Sequence, residues 1–238
     1  MINRNLDGFS AVSVGDPLAD LDMGNPRKWS VFMEDYLAYD IAQTAGNPWT
    51  LTQTNCVDTI IGPTGVLVLT LGGADNDVGQ MQLTEVPFAT NSKRMYFEAK
   101  VKLALAASGT IAANEMFVGL ASEQTTTSFI GSTGLALTVD DCIGYIKYDA
   151  DTSLGSVCRK TDVESTDGSL KVPVDGIWIT LAFYYTGSKV VFYVDGVKVS
   201  ELDSNIPTAN MTPTLYVKAG EAKANVLSCD YILVAAER

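Results

Sequence analysis

Short apolar runs recur along this chain with turn residues between them, and that rhythm restricts the fold more than any other feature. From Trp49 onward the runs include GVLVLTLGG, ADNDVGQMQL, FEAKVKL, MFVGLAS (Met116–Ser122), CIGYIKYD (Cys142–Asp149) and GSVCRKT (Gly155–Thr161). They continue with WITLAFYYTG (Trp178–Gly187), TPTLYVKAG (Thr212–Gly220) and VLSCDYILVA (Val226–Ala235). Gly, Asp, Asn and Pro separate them, and no long stretch keeps a period of 3.6 residues. Roughly ten short strands punctuated this way predict an all-β antiparallel sandwich or jelly roll. The chain has 238 residues, and single all-β domains commonly reach about 200–250 residues.

Two runs give finer detail. In FEAKVKL, Phe97, Ala99, Val101 and Leu103 fall on one face and Glu98, Lys100 and Lys102 on the other, the pattern of a sheet with one wet side. In KVVFYVDGVKVSEL, Lys189–Leu202, apolar runs flank Asp195-Gly196, a dipeptide that favours a type I′ hairpin turn. Val190, Phe192 and Val194 take one face of the first strand and Val191 and Tyr193 the other. A strand apolar on both sides belongs inside a sheet, with Asp195 serving the turn.

The first 29 residues contain Gly8, Gly15, Pro17, Gly24 and Pro26 and show neither alternation nor a helical stripe. They read as an extended N-terminal arm, residues 1–29, before a sandwich domain of residues 30–238. The arm is either a disordered terminus or an ordered segment docked on a neighbouring subunit, since termini order only when something ties them down. Phe32–Gln43, FMEDYLAYDIAQ, fits a short helix or an irregular strand with Phe32, Tyr36, Leu37 and Tyr39 turned inward.

Composition removes several function classes. Twenty-eight acidic against sixteen basic residues give a formal charge of -12, so phosphate backbones and anionic lipid are repelled and neither nucleic acid nor membrane is expected as a partner. The chain has no histidine, which eliminates a Ser-His-Asp triad and the commonest transition-metal ligand. Cys56, Cys142, Cys158 and Cys229 are widely spaced, and buried free thiols are preferred for them over one or two disulfides. MINRNLDGFS lacks the apolar core of a signal peptide and IWITLAFYY is too short to span a bilayer, so a soluble product of a cytoplasm is expected.

The C-terminal order is Trp178, then FYYTGSKVVFYVDGVKV, a loop with Pro207 and Pro213, TPTLYVKAG and CDYILVA. It resembles the concanavalin A-like lectin/glucanase jelly roll, and YFEAKVKLA with EMFVGLAS resembles the front-half strands of that fold. A second resemblance rests on GNPRKWSVFMEDYLAYD, WTLTQTN, GGADNDVGQMQ, KRMYFEAKVKL and FVGLAS in that order. This series is similar to virion structural proteins of tailed bacteriophages, with Glu34-Asp35-Tyr36 where those proteins carry a D-D-F-type opening. The resemblance implies a non-enzymatic accessory virion protein, made in the host cytoplasm, that decorates or reinforces the capsid exterior. Its implied partners are the major capsid protein and copies of itself, as a homo-oligomer such as a trimer.

The chemistry-bearing residues are weighed against that reading. Glycoside hydrolases of the lectin/glucanase fold place carboxylates at alternating positions of one strand. The nearest candidates, Asp140, Asp141, Asp149 and Asp151, are separated by Ile143, Tyr145 and Lys147, so no close pair is expected and no catalytic residue is assigned. Asp75, Asn76 and Asp77 in ADNDVG and Asp149 and Asp151 in DADTS offer oxygens to a metal, calcium being the ion such groups suit. Neither segment has EF-hand spacing, turn formation accounts for the same residues, and no cofactor is required. Tyr145, Tyr148, Tyr184, Tyr185 and Tyr193 are candidates to stack on a glycan, Tyr145 and Tyr184 foremost, in a lectin-like alternative that binds host-surface sugars. Arg27, Lys28 and Trp29 are candidate capsid contacts.

Overall fold

The computed structural model describes residues 25–37, 47–61, 65–85, 87–105, 109–131 and 133–238. These residues form fifteen strands and no helix. In chain order they are β1 (Trp29–Glu34), β2 (Trp49–Thr54), β3 (Cys56–Ile61), β4 (Val66–Leu71) and β5 (Val78–Leu83). Next come β6 (Met95–Ala104), β7 (Asn114–Ala121), β8 (Cys142–Lys147), β9 (Leu154–Lys160) and β10 (Val163–Lys171). The last are β11 (Trp178–Tyr185), β12 (Val190–Val194), β13 (Val197–Leu202), β14 (Thr212–Ala219) and β15 (Val226–Glu237). An eight-stranded sheet runs β13-β12-β11-β6-β15-β4-β3, with β1 also paired to β15, and a seven-stranded sheet runs β10-β9-β8-β7-β14-β5-β2. Every pairing is antiparallel. The expected sandwich is therefore observed.

Sequence alternation reads out directly in β6. Phe97, Ala99, Val101 and Leu103 are buried between the layers, while Glu98, Lys100 and Lys102 are half-buried on the outer side. Phe97 stacks on its cross-strand neighbour Phe183, ring centroids 5.0 Å apart, and Phe183 packs against Phe192 at 5.9 Å. Tyr145 of β8 meets Phe192 edge-on, and its hydroxyl donates across the core to the carbonyls of Ala182 at 2.8 Å and Tyr193 at 2.6 Å. The two layers are thus joined by hydrogen bonds inside the core, Ser156 of β9 donating to Ser200 of β13 at 3.0 Å as a further link.

The hairpin forms as its residues dictate. Asp195 and Gly196 both adopt positive φ, 50° and 77°, as a type I′ turn requires. The Asp195 carboxylate accepts from the Thr180 amide at 2.9 Å. All five residues of β12 are buried, and β13 takes the edge beside it. The four cysteines are free and buried, and burial pushes the Cys56 thiol up to about 12.

At the N-terminal side, the expected arm is largely residues 1–24, which lie outside the described residues. Residues 25–28 form a turn, with Lys28 and Trp29 amides donating to the Asn25 carbonyl, and β1 begins at Trp29 itself. Of the helix-or-strand alternatives for Phe32–Gln43, Phe32 is strand, in β1, and Tyr39–Gln43 lie outside the described residues. Glu34 fastens this entry, accepting from the Tyr36 amide at 2.7 Å and from the Trp49 indole at 3.0 Å.

Arg94 holds the other end of the β1–β15 pair. Its guanidinium contacts both Glu237 carboxylate oxygens, at 2.8 and 3.1 Å, and lies 5.4 Å from the Trp29 ring centroid. This forked contact holds the Glu237 carboxyl at about 2, well below the usual carboxylate range. A folded-state value below the unfolded one means stability that is complete above the unfolded value and is lost as pH falls toward the folded value. Between about pH 4.5 and 2, Glu237→Gln should therefore flatten part of the acid destabilisation seen in the wild type, as measured by denaturant midpoints across that range.

Candidate functional site

The outer face of the seven-stranded sheet holds a concentration of buried polar groups that the β pattern leaves unexplained. On β5, β14, β7, β8 and β9 that face carries Val78, Gln80, Gln82, Thr214, Tyr216, Lys218, Glu115, Phe117, Ile146, Val157 and Arg159, all buried. They are buried because the described residues between β7 and β8, 122–131 and 133–141, lie across them. Phe129, Ile130, Leu137 and Val139 of this segment form a second apolar cluster with Phe117, Ala121, Ile146, Val157 and Tyr216. Phe129 sits 4.7 Å from Phe117 and 5.3 Å from Tyr216, centroid to centroid.

A segment laid on a sheet brings backbone carbonyls into a dry contact, and each needs a donor. The sheet supplies them from side chains. Gln80 Nε2 donates to the Gln124 carbonyl at 2.7 Å and Gln82 Nε2 to the Ser122 carbonyl at 3.1 Å. Arg159 Nε donates to the Val139 carbonyl at 2.6 Å and Lys218 Nζ to the Gly131 carbonyl at 3.2 Å. Lys218 also lies 2.9 Å from Glu115, its register partner on β7, with both side chains nearly inaccessible. Burial raises the Glu115 carboxyl, and Lys218 works against that. Lys147 is likewise enclosed, its ammonium reaching the carbonyls of Ala112, Asn114 and Tyr148, and burial brings it down to about 8. Gln80, Gln82, Arg159 and Lys218 hold the cover in place.

The cover leaves one part of the face open. Beyond Ile146 a cleft of about 310 Å³ lies between the β8–β9 turn and strand β10. Tyr148, Asp151, Thr152, Glu164, Thr166 and Asp167 line it, over a floor that includes Gly155 and Gly168. A Cβ at Gly155 would stand 3.0 Å from the Asp167 carbonyl, whereas one at Gly168 would meet nothing within 4 Å. Tyr148 is half-buried, with its hydroxyl 3.4 Å from Glu164, and Arg159 Nη1 donates to the same carboxylate at 3.3 Å. Burial first, and the Glu164 charge second, push the Tyr148 phenol up, so it stays protonated. Asp167 accepts from Ser200 at 2.8 Å, and Asp151 is exposed. The cleft thus offers an aromatic face, hydroxyls and acceptors.

The residues singled out from sequence are distributed otherwise. Tyr145 is fully buried in the core and Tyr184 is 6% exposed, so neither presents a ring face to a sugar. Trp29 is 1% exposed, while Arg27 is exposed and Lys28 half-buried in the turn before it. Asp77 is buried and works as a fastener, accepting from Asn55 at 3.0 and 3.2 Å and from the Ala74 amide at 2.7 Å. Asp75 is exposed beside it. Asp149 is half-buried against Gly134 and Gly220, at the end of the sandwich that the Asp75–Asp77 turn shares through Ala219. Among the described residues no three His, Cys, Asp or Glu side chains converge in a way that could hold a metal. Sequence reading passed over Glu115, Lys218, Glu164, Asp167 and the cover between β7 and β8, and took Lys147 only as a spacer between carboxylates. The available signal was the apolar set Phe129, Ile130, Leu137 and Val139 in a segment otherwise rich in Ser and Thr.

No family model matches the chain, and no curated protein matches it in sequence. Solved structures match it in shape. The carbohydrate recognition domain of Emp47p superposes with a TM-score of 0.58 at 11% identity, over 88% of this chain and 97% of that one. Peanut lectin gives 0.55 at 14% identity, over 87% and 97%. A Bacteroides ovatus GH16 protein gives 0.56 at 12% identity, over 84% and 98%. The fold is a lectin/glucanase jelly roll. At these identities the likeness is one of fold, and the chemistry of this chain must be read from its own residues.

The Lys218–Glu115 pair has a testable signature. Lys218→Met should cost about 3–5 kcal/mol, because an unpaired carboxylate remains buried. The loss should grow with pH, since folded Glu115 then keeps a proton that the unfolded chain releases. Adding Glu115→Gln to the same chain should recover part of the loss; urea midpoints at several pH values measure both effects.

Proposed function

We propose that this chain is a non-enzymatic virion structural protein of a tailed bacteriophage, placed on the capsid exterior and acting through contacts with copies of itself and with the major capsid protein. The observation that carries this reading is the filled outer face of the seven-stranded sheet. A face occupied by the chain's own described residues between β7 and β8, with its buried charges paired internally, is built for rigidity and leaves no groove across the sheet for a polymer. The motifs of the phage resemblance fit a scaffold role too: Asn25 closes the turn before β1, Glu34 ties β1 to Trp49, and Asp77 ties its turn to Asn55. Many modest contacts repeated over a closed shell add through effective concentration, so no single tight interface is needed.

Purified particles of a phage encoding this chain should contain it, at a fixed stoichiometry to the major capsid protein by mass spectrometry and as ordered exterior density by cryo-electron microscopy. Particles lacking the chain would end the proposal.

The open cleft favours a second reading, carbohydrate recognition at Tyr148. A half-buried aromatic beside hydroxyls, carboxylates and a glycine floor has the amphipathic character that sugar rings require, and carbohydrate recognition domains share the fold. On this reading, glycan arrays give a defined hit that Tyr148→Ala weakens roughly tenfold, about 1.4 kcal/mol. A chelator arm separates calcium-dependent from calcium-independent binding. A blank array at high protein concentration removes the reading, and product release from a polysaccharide panel would replace both readings with an enzymatic one.

A further inference from the structure

The open cleft by β8–β10 has a charge bias that its shape alone does not reveal. Its walls hold Asp151, Glu164 and Asp167, and among the described residues no lysine or arginine lines it. The Arg159 guanidinium that touches Glu164 is already committed. Nη1 lies 3.3 Å from Glu164, Nη2 lies 2.9 Å from Asp162, and Nε donates to the Val139 carbonyl. Lys147 acts on Asp151 at a distance, but its ammonium is wholly buried and out of reach of a ligand. The formal charge of -12 on the whole chain adds to the same field.

Local backbone explains how the cleft opens. Asp167 pairs with Ser156 and Lys171 with Leu154, so β10 carries extra residues there and bows away from β9, as a bulged strand does. Gly168 and Ser169 lie in the bow, Ser169 with a φ of 61°. Across from it the β8–β9 turn holds Ala150 at a φ of 66°. The half-buried Tyr148 ring stands between these walls.

An aromatic face beside carboxylates suits an ammonium group, which pairs with the acids and is drawn to the ring's negative face. The same walls repel the carboxylates of uronic and sialic acids. A volume of about 310 Å³ is at the small end for ligand clefts, which run from about 300 to 1,000 Å³. It therefore takes the end of a saccharide, not a run of polymer.

We propose that this cleft selects a cationic amino sugar, its pyranose ring laid on Tyr148 and its ammonium held among Asp151, Glu164 and Asp167. Thr152 and Thr166 supply hydroxyls to meet the sugar's own. The proposal rests on the carbohydrate reading of the cleft and narrows it from saccharides in general to those with a free amine.

The test titrates the full chain, by NMR below neutral pH where the sugar amine is protonated, with four disaccharides. These are the glucosamine disaccharide, its N-acetylated form, cellobiose and a disaccharide bearing glucuronate. The glucosamine form should bind about tenfold tighter than the acetylated form and cellobiose, and the advantage should shrink as salt is added. Asp151 is exposed, and Asp151→Asn should cut the glucosamine-to-cellobiose preference about fivefold, the scale of an exposed ion pair. Equal affinity for the cationic and neutral forms, or tighter binding of the glucuronate, would overturn the proposal and leave the carbohydrate reading standing. Binding of none of the four removes both. A preference unchanged in Asp151→Asn and in Tyr148→Ala places the site elsewhere and overturns the proposal. Displacement of the disaccharide by an equal concentration of tetramethylammonium also overturns it, by assigning the cleft to a bare cation.

Discussion

The central strands of this protein are buried on both faces, and most of its architecture answers that constraint. In an ordinary two-layer sandwich each strand buries one face and wets the other. Here every residue of β7, β8, β12 and β14 is buried, so two sheets facing each other are not enough. The described residues between β7 and β8 act as a third layer on the seven-stranded side. Laying irregular backbone on a sheet creates carbonyls in need of donors, which explains why Gln80, Gln82, Arg159 and Lys218 occupy positions where the strand pattern alone would put aliphatic residues. Glu115 then follows from Lys218, because an ammonium that deep requires a counter-charge.

The same constraint governs how much of the molecule was legible in the sequence. The sandwich, the inward face of β6, the type I′ hairpin and the interior position of β12 all depend on local alternation and turn chemistry, which neighbouring residues encode. The short list of functional residues was less legible because burial on an outer face is a property of what lies above it. Tyr145 and Tyr184 look alike in sequence to Tyr148, all three being aromatics in strand-like surroundings. One is in the core, one is buried on the outer face of the eight-stranded sheet and one lines a cleft, a difference that local alternation does not encode. Asp77 shows the converse: its turn chemistry was readable, and the turn consumes the oxygens that a metal would have needed.

Likeness in fold to carbohydrate-recognising and glycoside hydrolase proteins coexists here with a face that its own chain has filled. The jelly roll supplies a broad sheet surface, and what becomes of that surface depends on the connection between β7 and β8. A shorter or more polar connection would leave Phe117 and Tyr216 bare on a shallow sheet. With Phe129 packed against both, the open cleft lies at the margin, by β8–β10.

The Tyr145 hydroxyl, placed between the carbonyls of Ala182 and Tyr193, has a mechanical consequence. Apolar layers adhere without strongly resisting sideways sliding, because dispersion contacts are non-directional. A directional bond from one sheet to the other, seated where β11 and β12 run side by side, works as a dowel. Shear between the layers must break it in a dry interior where no water can take its place, so the sandwich should yield to tangential load at its edges before its centre slips.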